Sequence, residues 1–139
     1  MELIQIVIIE DDEKIAEIQR IFTEKINGFT VTGIAHSIQE GEEMLQVLRP
    51  DLVLLDIFFP DGNGLELLWK IRKDFKKTDI VLITAAKEKD IFQEAIRGGV
   101  FDYILKPLNF TRFQNTLNRY IEHRKKLQNI NTINQHDVD

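Results

Sequence analysis

The chain has 139 residues, 43% of them hydrophobic, a net charge of −5 and no cysteine. That suits one domain with its own core plus a short extension; it excludes disulfides and thiolate metal sites, and it fits a reducing cytoplasm. No apolar run reaches the roughly eighteen residues of a membrane span, no basic-then-apolar start marks a secretory signal, and the acidic balance argues against this segment as a main nucleic-acid contact.

Leu3 to Ile9 is almost wholly apolar and β-branched, which predicts a central strand ending in Glu10-Asp11-Asp12. From Glu13 the period changes. Ile15, Ile18, Ile21 or Phe22, and Ile26 predict a helix face, stopped by Asn27-Gly28. Phe29 to Ala35 alternates as a strand with Val31 inward. Ser37 and Glu40 form a capping-box signature for a second helix, faced by Ile38, Gly41, Met44, Leu45 and Leu48 and ended by Pro50. Asp51 to Asp56 reads as a strand buried on both faces, followed at once by the turn residues Pro60, Gly62 and Gly64. Leu65, Leu67, Leu68 and Ile71 predict a third helix that closes around Phe75. Asp79 to Thr84 predicts a fourth strand, Glu88 to Arg97 a fourth helix stopped by Gly98-Gly99, and Val100 to Leu105 a fifth strand ending in Lys106-Pro107. Phe110, Phe113, Leu117, Tyr120 and Ile121 stripe a fifth helix. The stripe fades beyond Arg124, and Asn129 to Asp139 reads as a polar linker or tail. Arg119, Arg124, Lys125 and Lys126 are expected on a solvated face, His36 and His123 at the surface, and His136 in the tail.

Strands and helices alternate five times. That predicts an α/β fold, a doubly wound five-stranded parallel sheet with five helices in the flavodoxin-like order 2-1-3-4-5. In that order the carboxyl ends of strands 1, 3, 4 and 5 bring Glu10, Asp11, Asp56, Thr84 and Lys106 into one pocket. Singly, each has an ordinary reading: acids favoured at a helix start, a turn residue, a strand-end hydroxyl, a strand terminator. Together they form a chemical set. Clustered carboxylates stay ionised only with a cation among them, and an all-oxygen donor set suits Mg²⁺. A carboxylate attacking a phosphoryl group must approach another anion; Mg²⁺ and Lys106 offset that charge, Thr84 can donate to a phosphate oxygen, and the product is an aspartyl phosphate on Asp56.

In these motifs the chain resembles the receiver domain of two-component response regulators, CheY-like in fold. The match covers about residues 3 to 122: the acidic pair Glu10-Asp11, the acceptor Asp56 with Pro60 and Gly64, Thr84-Ala85, the aromatic Tyr103, and Lys106-Pro107. The resemblance implies that Asp56 accepts phosphate from a sensor histidine kinase. It implies that Glu10, Asp11, Asp56 and the Phe58 backbone carbonyl hold Mg²⁺, with Asp12 the less certain ligand. The Lys106-Pro107 bond is expected to be cis. Thr84 and Tyr103 are the expected switch, altering the surface of helix 4, strand 5 and helix 5 by a population shift. The stretch Asp102 to Phe113, with Asp56 to Gly64, looks like the citrate and C4-dicarboxylate (CitB-like) regulators. In those a helix-turn-helix domain follows, so residues 1–122 are expected to be the receiver and 123–139 a linker toward a DNA-binding domain outside this chain. The protein is then a cytoplasmic phosphoacceptor, not an enzyme in the ordinary sense, that controls transcription.

An FMN carrier needs a phosphate-cradling loop after strand 1, where three acids stand. An Asp-nucleophile phosphatase needs an acid at position 58, which is Phe58. A stand-alone receiver acting through protein docking stays open. On the helix 4 face, Lys87, Lys89, Asp90, Glu94 and Arg97, with Arg112 and Arg119 on helix 5, fit either a phosphorylation-dependent homodimer or a solvated surface.

Overall fold

The computed structural model describes residues 2–138. Five strands, β1 (Ile4–Ile9), β2 (Phe29–Ala35), β3 (Leu52–Leu55), β4 (Asp79–Thr84) and β5 (Asp102–Leu105), alternate with α1 (Glu13–Glu24), α2 (Ile38–Leu48), α3 (Gly64–Asp74), α4 (Lys89–Arg97) and α5 (Phe110–Val138). All strand pairs of the main sheet are parallel, in spatial order β2-β1-β3-β4-β5. This is the predicted doubly wound architecture. Two short strands, Phe58–Phe59 and Gly62–Asn63, form a separate antiparallel hairpin after β3.

The sheet divides the core by parity, as a strand covered on both sides must. Val7, Ile9, Val53, Leu55, Ile80 and Leu82 face α2, α3 and α4 with Leu45, Leu68, Ile71 and Ala95. Ile6, Ile8, Leu52, Leu54, Val81 and Ile83 face α1 and α5 with Ala16, Phe113, Leu117 and Tyr120.

Helix caps follow the sequence. Ser37 Oγ accepts from Glu40 N (3.1 Å) and Asp12 Oδ1 accepts from Lys14 N (2.9 Å) and Ile15 N (3.0 Å). Asn63 caps α3 through Leu65 N (2.8 Å).

Several local expectations are corrected. In α1 the buried residues are Ala16, Gln19 and Thr23, while Ile18 and Ile21 are 40% and 39% exposed. In β2 the deep residues are Phe29 and Ala35, with Val31 only half-buried. Arg119 pairs with Asp102 and Arg124 with Asp51, so these cations do more than solvate a helix end. His123 packs at a tilt against the Phe101 ring, with centroids 5.3 Å apart. The stretch expected to be a tail continues α5 as helix to Val138; the His136 side chain lies outside the described residues. No helix among the described residues is long and apolar enough to cross a membrane.

Candidate functional site

Glu10, Asp56 and Lys106 each stand one step past the end of a strand, held there by a neighbouring strand's backbone, and Thr84 is the last residue of β4. Glu10 N donates to Ala35 O (2.9 Å), Asp56 N to Ile9 O (3.1 Å) and Lys106 N to Thr84 O (2.9 Å). The strand register thus delivers their side chains to one edge of the sheet. The Lys106-Pro107 bond is cis, as expected.

The Lys106 ammonium joins two acids. Its Nζ lies 2.8 Å from Asp56 Oδ2 and 2.7 Å from Glu10 Oε1. Both contacts are within hydrogen-bond distance, so the one ammonium bridges two buried carboxylates. Glu10 is fully buried and Asp56 is 5% exposed. Burial pushes the Glu10 carboxyl up to about 7, with nearby Asp56 adding to the rise and Lys106 and the Asp12 N–H opposing it. Burial would lower Lys106, but the hydrogen bonds and charges of Asp56 and Glu10 more than offset it and the ammonium is raised.

Asp11 is exposed and completes an acidic cluster. One carboxylate oxygen each from Glu10, Asp11 and Asp56 lie within 4.8 Å of one another. Asp12 is not in that group, because its carboxylate caps α1. Three carboxylates therefore cluster where the Lys106 ammonium pairs with two of them, Glu10 and Asp56. A hard dication fits that donor set.

Asp56 Oδ1 accepts from Ile57 N (2.7 Å), while Oδ2 accepts from the Lys106 ammonium. Phe58 stands two residues on, in the hairpin, with its ring exposed. Thr84 is buried, and its Oγ1 accepts from Ala86 N (3.3 Å). The Tyr103 hydroxyl donates to Ala86 O (2.7 Å), so both residues hold the same loop. Tyr103 also meets the Phe92 ring edge-on at 5.3 Å. Burial raises the Tyr103 hydroxyl, with the Glu88 and Asp56 charges adding to it.

Sequence spacing placed the histidines outside this cluster. In the structure His36 Nδ1 lies 3.0 Å from the Glu10 carbonyl oxygen. No spacing signal marks that contact, which spans 26 residues between two strand ends.

Residues 6–118 match the family model described as the response regulator receiver domain. The chain is 38% identical over 137 residues to the probable C4-dicarboxylate response regulator DctR of Halalkalibacterium halodurans, covering 99% of this chain and 60% of that protein. It is 36% identical over 139 residues to the transcriptional regulatory protein CitB of Klebsiella pneumoniae, covering 100% of this chain and 59% of that one. The chain thus spans about three fifths of the length of the curated relatives it matches. Among solved structures, a CheY-like receiver domain protein from Methanospirillum hungatei superposes with a TM-score of 0.82 at 26% identity, over 90% of this chain and 98% of that one.

Proposed function

The chain belongs to the response regulator receiver domain family, and from that premise we propose that it receives a phosphoryl group on Asp56 from a sensor histidine kinase. The observation that carries this is Lys106 Nζ within 2.8 Å of Asp56 Oδ2, beside two further carboxylates, at the carboxyl edge of the sheet. In the step, an Asp56 carboxylate oxygen bonds to phosphorus as the bond to the donor's imidazole nitrogen breaks, and the leaving imidazole keeps that electron pair. Lys106 stands where it can turn from the carboxylate to a phosphoryl oxygen as a point charge. Thr84 can supply its hydroxyl to another. Glu10, Asp11, Asp56 and the Phe58 carbonyl would hold Mg²⁺, which when bound offsets charge on the transferring group.

The product is a modified Asp56 and not a released compound, so the chain is a phosphoacceptor that assists its own phosphorylation and dephosphorylation. Readout follows from the shared loop. A phosphate that draws the Thr84 hydroxyl inward releases Ala86 N, and Ala86 O is the partner of Tyr103. The α4–β5–α5 surface then shifts between two states. A homodimer through that face must compete with Asp102, which already engages Arg112 and Arg119. Residues 1–122 are the receiver in this reading, and 123–139 lead toward a helix-turn-helix domain that binds DNA; in support, the relatives are named as regulators and are longer than this chain. A soluble cytoplasmic setting follows from that role.

Intact mass after incubation with Mg²⁺ and acetyl phosphate tests the chemistry. One phosphoryl adduct is expected on the wild type, absent in Asp56→Asn and suppressed by EDTA. A wild type that gains no adduct from acetyl phosphate or from a kinase would make this a phosphate-independent interaction module.

A further inference from the structure

We propose that His36 is a positioning residue for the acidic end of β1: its imidazole fixes the Glu10–Asp11 peptide so that both carboxylates serve one cation. The inference rests on the Mg²⁺ reading above.

The Glu10 carbonyl can only accept, so the Nδ1 that lies 3.0 Å away carries the proton and donates it. That carbonyl and the Asp11 N–H belong to one planar peptide unit. Holding one end of the plane sets the other, and with it the direction in which Asp11 leaves the chain. The remaining freedom is taken up on both sides. Before the plane, Glu10 N donates to Ala35 O at 2.9 Å. After it, Asp12 is committed to the α1 cap, and its own N–H donates to Glu10 Oε2 at 3.1 Å. Asp11, the exposed member of the cluster, has no hydrogen bond of its own carboxylate among the described residues to hold it. The His36 contact therefore supplies orientation that the ligand itself lacks.

The backbone that follows His36 is in turn anchored. Ser37, next in the chain, caps α2, and the Asp61 carboxylate accepts from Ile38 N (3.1 Å) and Gln39 N (3.2 Å). Asp61 lies in the hairpin turn that follows Asp56. A chain of contacts thus runs from the hairpin, through the start of α2 and His36, to the Glu10 carbonyl. Partners that orient a ligand from behind commonly change metal affinity by an order of magnitude or more; a backbone-directed contact to an exposed ligand should act at the lower end of that range.

The test is calorimetric titration with MgCl₂ of the whole chain as wild type, His36→Phe and His36→Asn. Phe keeps the ring without the donor, whereas the Asn side-chain amide can donate from a similar place. Phe is expected to weaken Mg²⁺ binding about 3–10-fold and Asn to restore it to within about twofold. Melting midpoints in EDTA should be alike for all three. In metal-free protein the Asp11 amide resonance should move in His36→Phe and stay near its wild-type position in His36→Asn, which gives a reading even if Phe lowers stability. Wild-type affinity in His36→Phe, an unmoved Asp11 amide, or an Asn variant as weak as Phe would overturn the proposal. A wild type that takes no Mg²⁺ at all would sink the metal reading itself, and this inference with it.

Discussion

A β-carbon added at Gly64 would collide with the carbonyl oxygen of Asp56 and come within 2.8 Å of Ile57 Cα, both backbone atoms beside the proposed acceptor. At Gly62 the same atom meets only the Ile38 side chain, at 3.4 Å. Gly64→Ala must therefore displace the Asp56 peptide, while Gly62→Ala asks a flexible side chain to give slightly. The first should cost about 1–3 kcal/mol in urea denaturation and slow the acetyl phosphate adduct; the second should cost well under that. Equal stability and equal labelling of the two variants would remove Gly64 from the site's support. The meeting of Glu10, Asp56 and Lys106 was legible in the sequence because each follows an apolar run, and strand ends in a parallel sheet converge on one edge. His36 was not, because a ring donating to a carbonyl 26 residues away leaves no periodic trace. The order of pressures on Glu10 was also hidden: burial dominates and lifts the carboxyl to about 7 in spite of Lys106.

At the level of elements, strands could be read almost to the residue and α1 could not be phased. The central strands β1, β3 and β4 are covered on both faces, so nearly every position is apolar and the boundaries show as polar residues. α1 buries Gln19 and Thr23, and Thr23 Oγ1 is satisfied by donating to Gln19 O at 2.8 Å. Its isoleucines therefore misdirect any reading that equates apolar with inward. Ile18→Ser should change stability by no more than about 0.5 kcal/mol, against about 2–5 kcal/mol for Leu45→Ala in the core, both measured by chemical denaturation. Between β5 and α5, Asp102 accepts from Arg112 Nη1 (2.9 Å), Tyr103 N (2.8 Å) and the Thr116 hydroxyl (2.5 Å). Burial alone would raise its carboxyl, but the Arg112 and Thr116 hydrogen bonds, the Tyr103 N–H and the Arg112 charge bring it down to about 2. An acid lowered in the folded state contributes stability above its unfolded pKa of about 3.9 and loses it as pH falls toward about 2. After discounting for solvent screening, the contribution is on the order of 1 kcal/mol. Urea midpoints should therefore fall more steeply from pH 5 to pH 3 in the wild type than in Asp102→Asn. Parallel slopes would mean that the network adds no pH-dependent stability.

For the whole molecule, the sequence misjudged the length of α5 for a related reason. The apolar stripe ends where the helix leaves the sheet, yet no glycine or proline interrupts residues 110–138, and the helix runs on to Val138. Burial pattern marks where a helix packs, not where it stops. The same distinction bears on how a signal crosses the domain. Trp69, the single tryptophan, sits on α3 and donates from Nε1 to Glu94 Oε1 on α4 at 3.0 Å. Behind it, a β-carbon at Gly98, which caps α4, would press to 2.6 Å from Leu68 of α3, so the two helices meet closely. α4 also touches the proposed switch, since Phe92 meets the Tyr103 ring and Tyr103 holds Ala86 O. In the proposed switch, a phosphoryl group on Asp56 that pulls the Thr84 hydroxyl disturbs this loop, and a shift of α4 would alter its contact with Trp69 on α3. Acetyl phosphate with Mg²⁺ should therefore change Trp69 emission in step with the mass adduct. Thr84→Ala should take up the adduct with a much smaller emission change, because the hydroxyl proposed to couple phosphate to Ala86 is gone. If Thr84→Ala gave the full emission change at equal labelling, the signal would reach α4 by a route that bypasses the Thr84–Ala86–Tyr103 contacts.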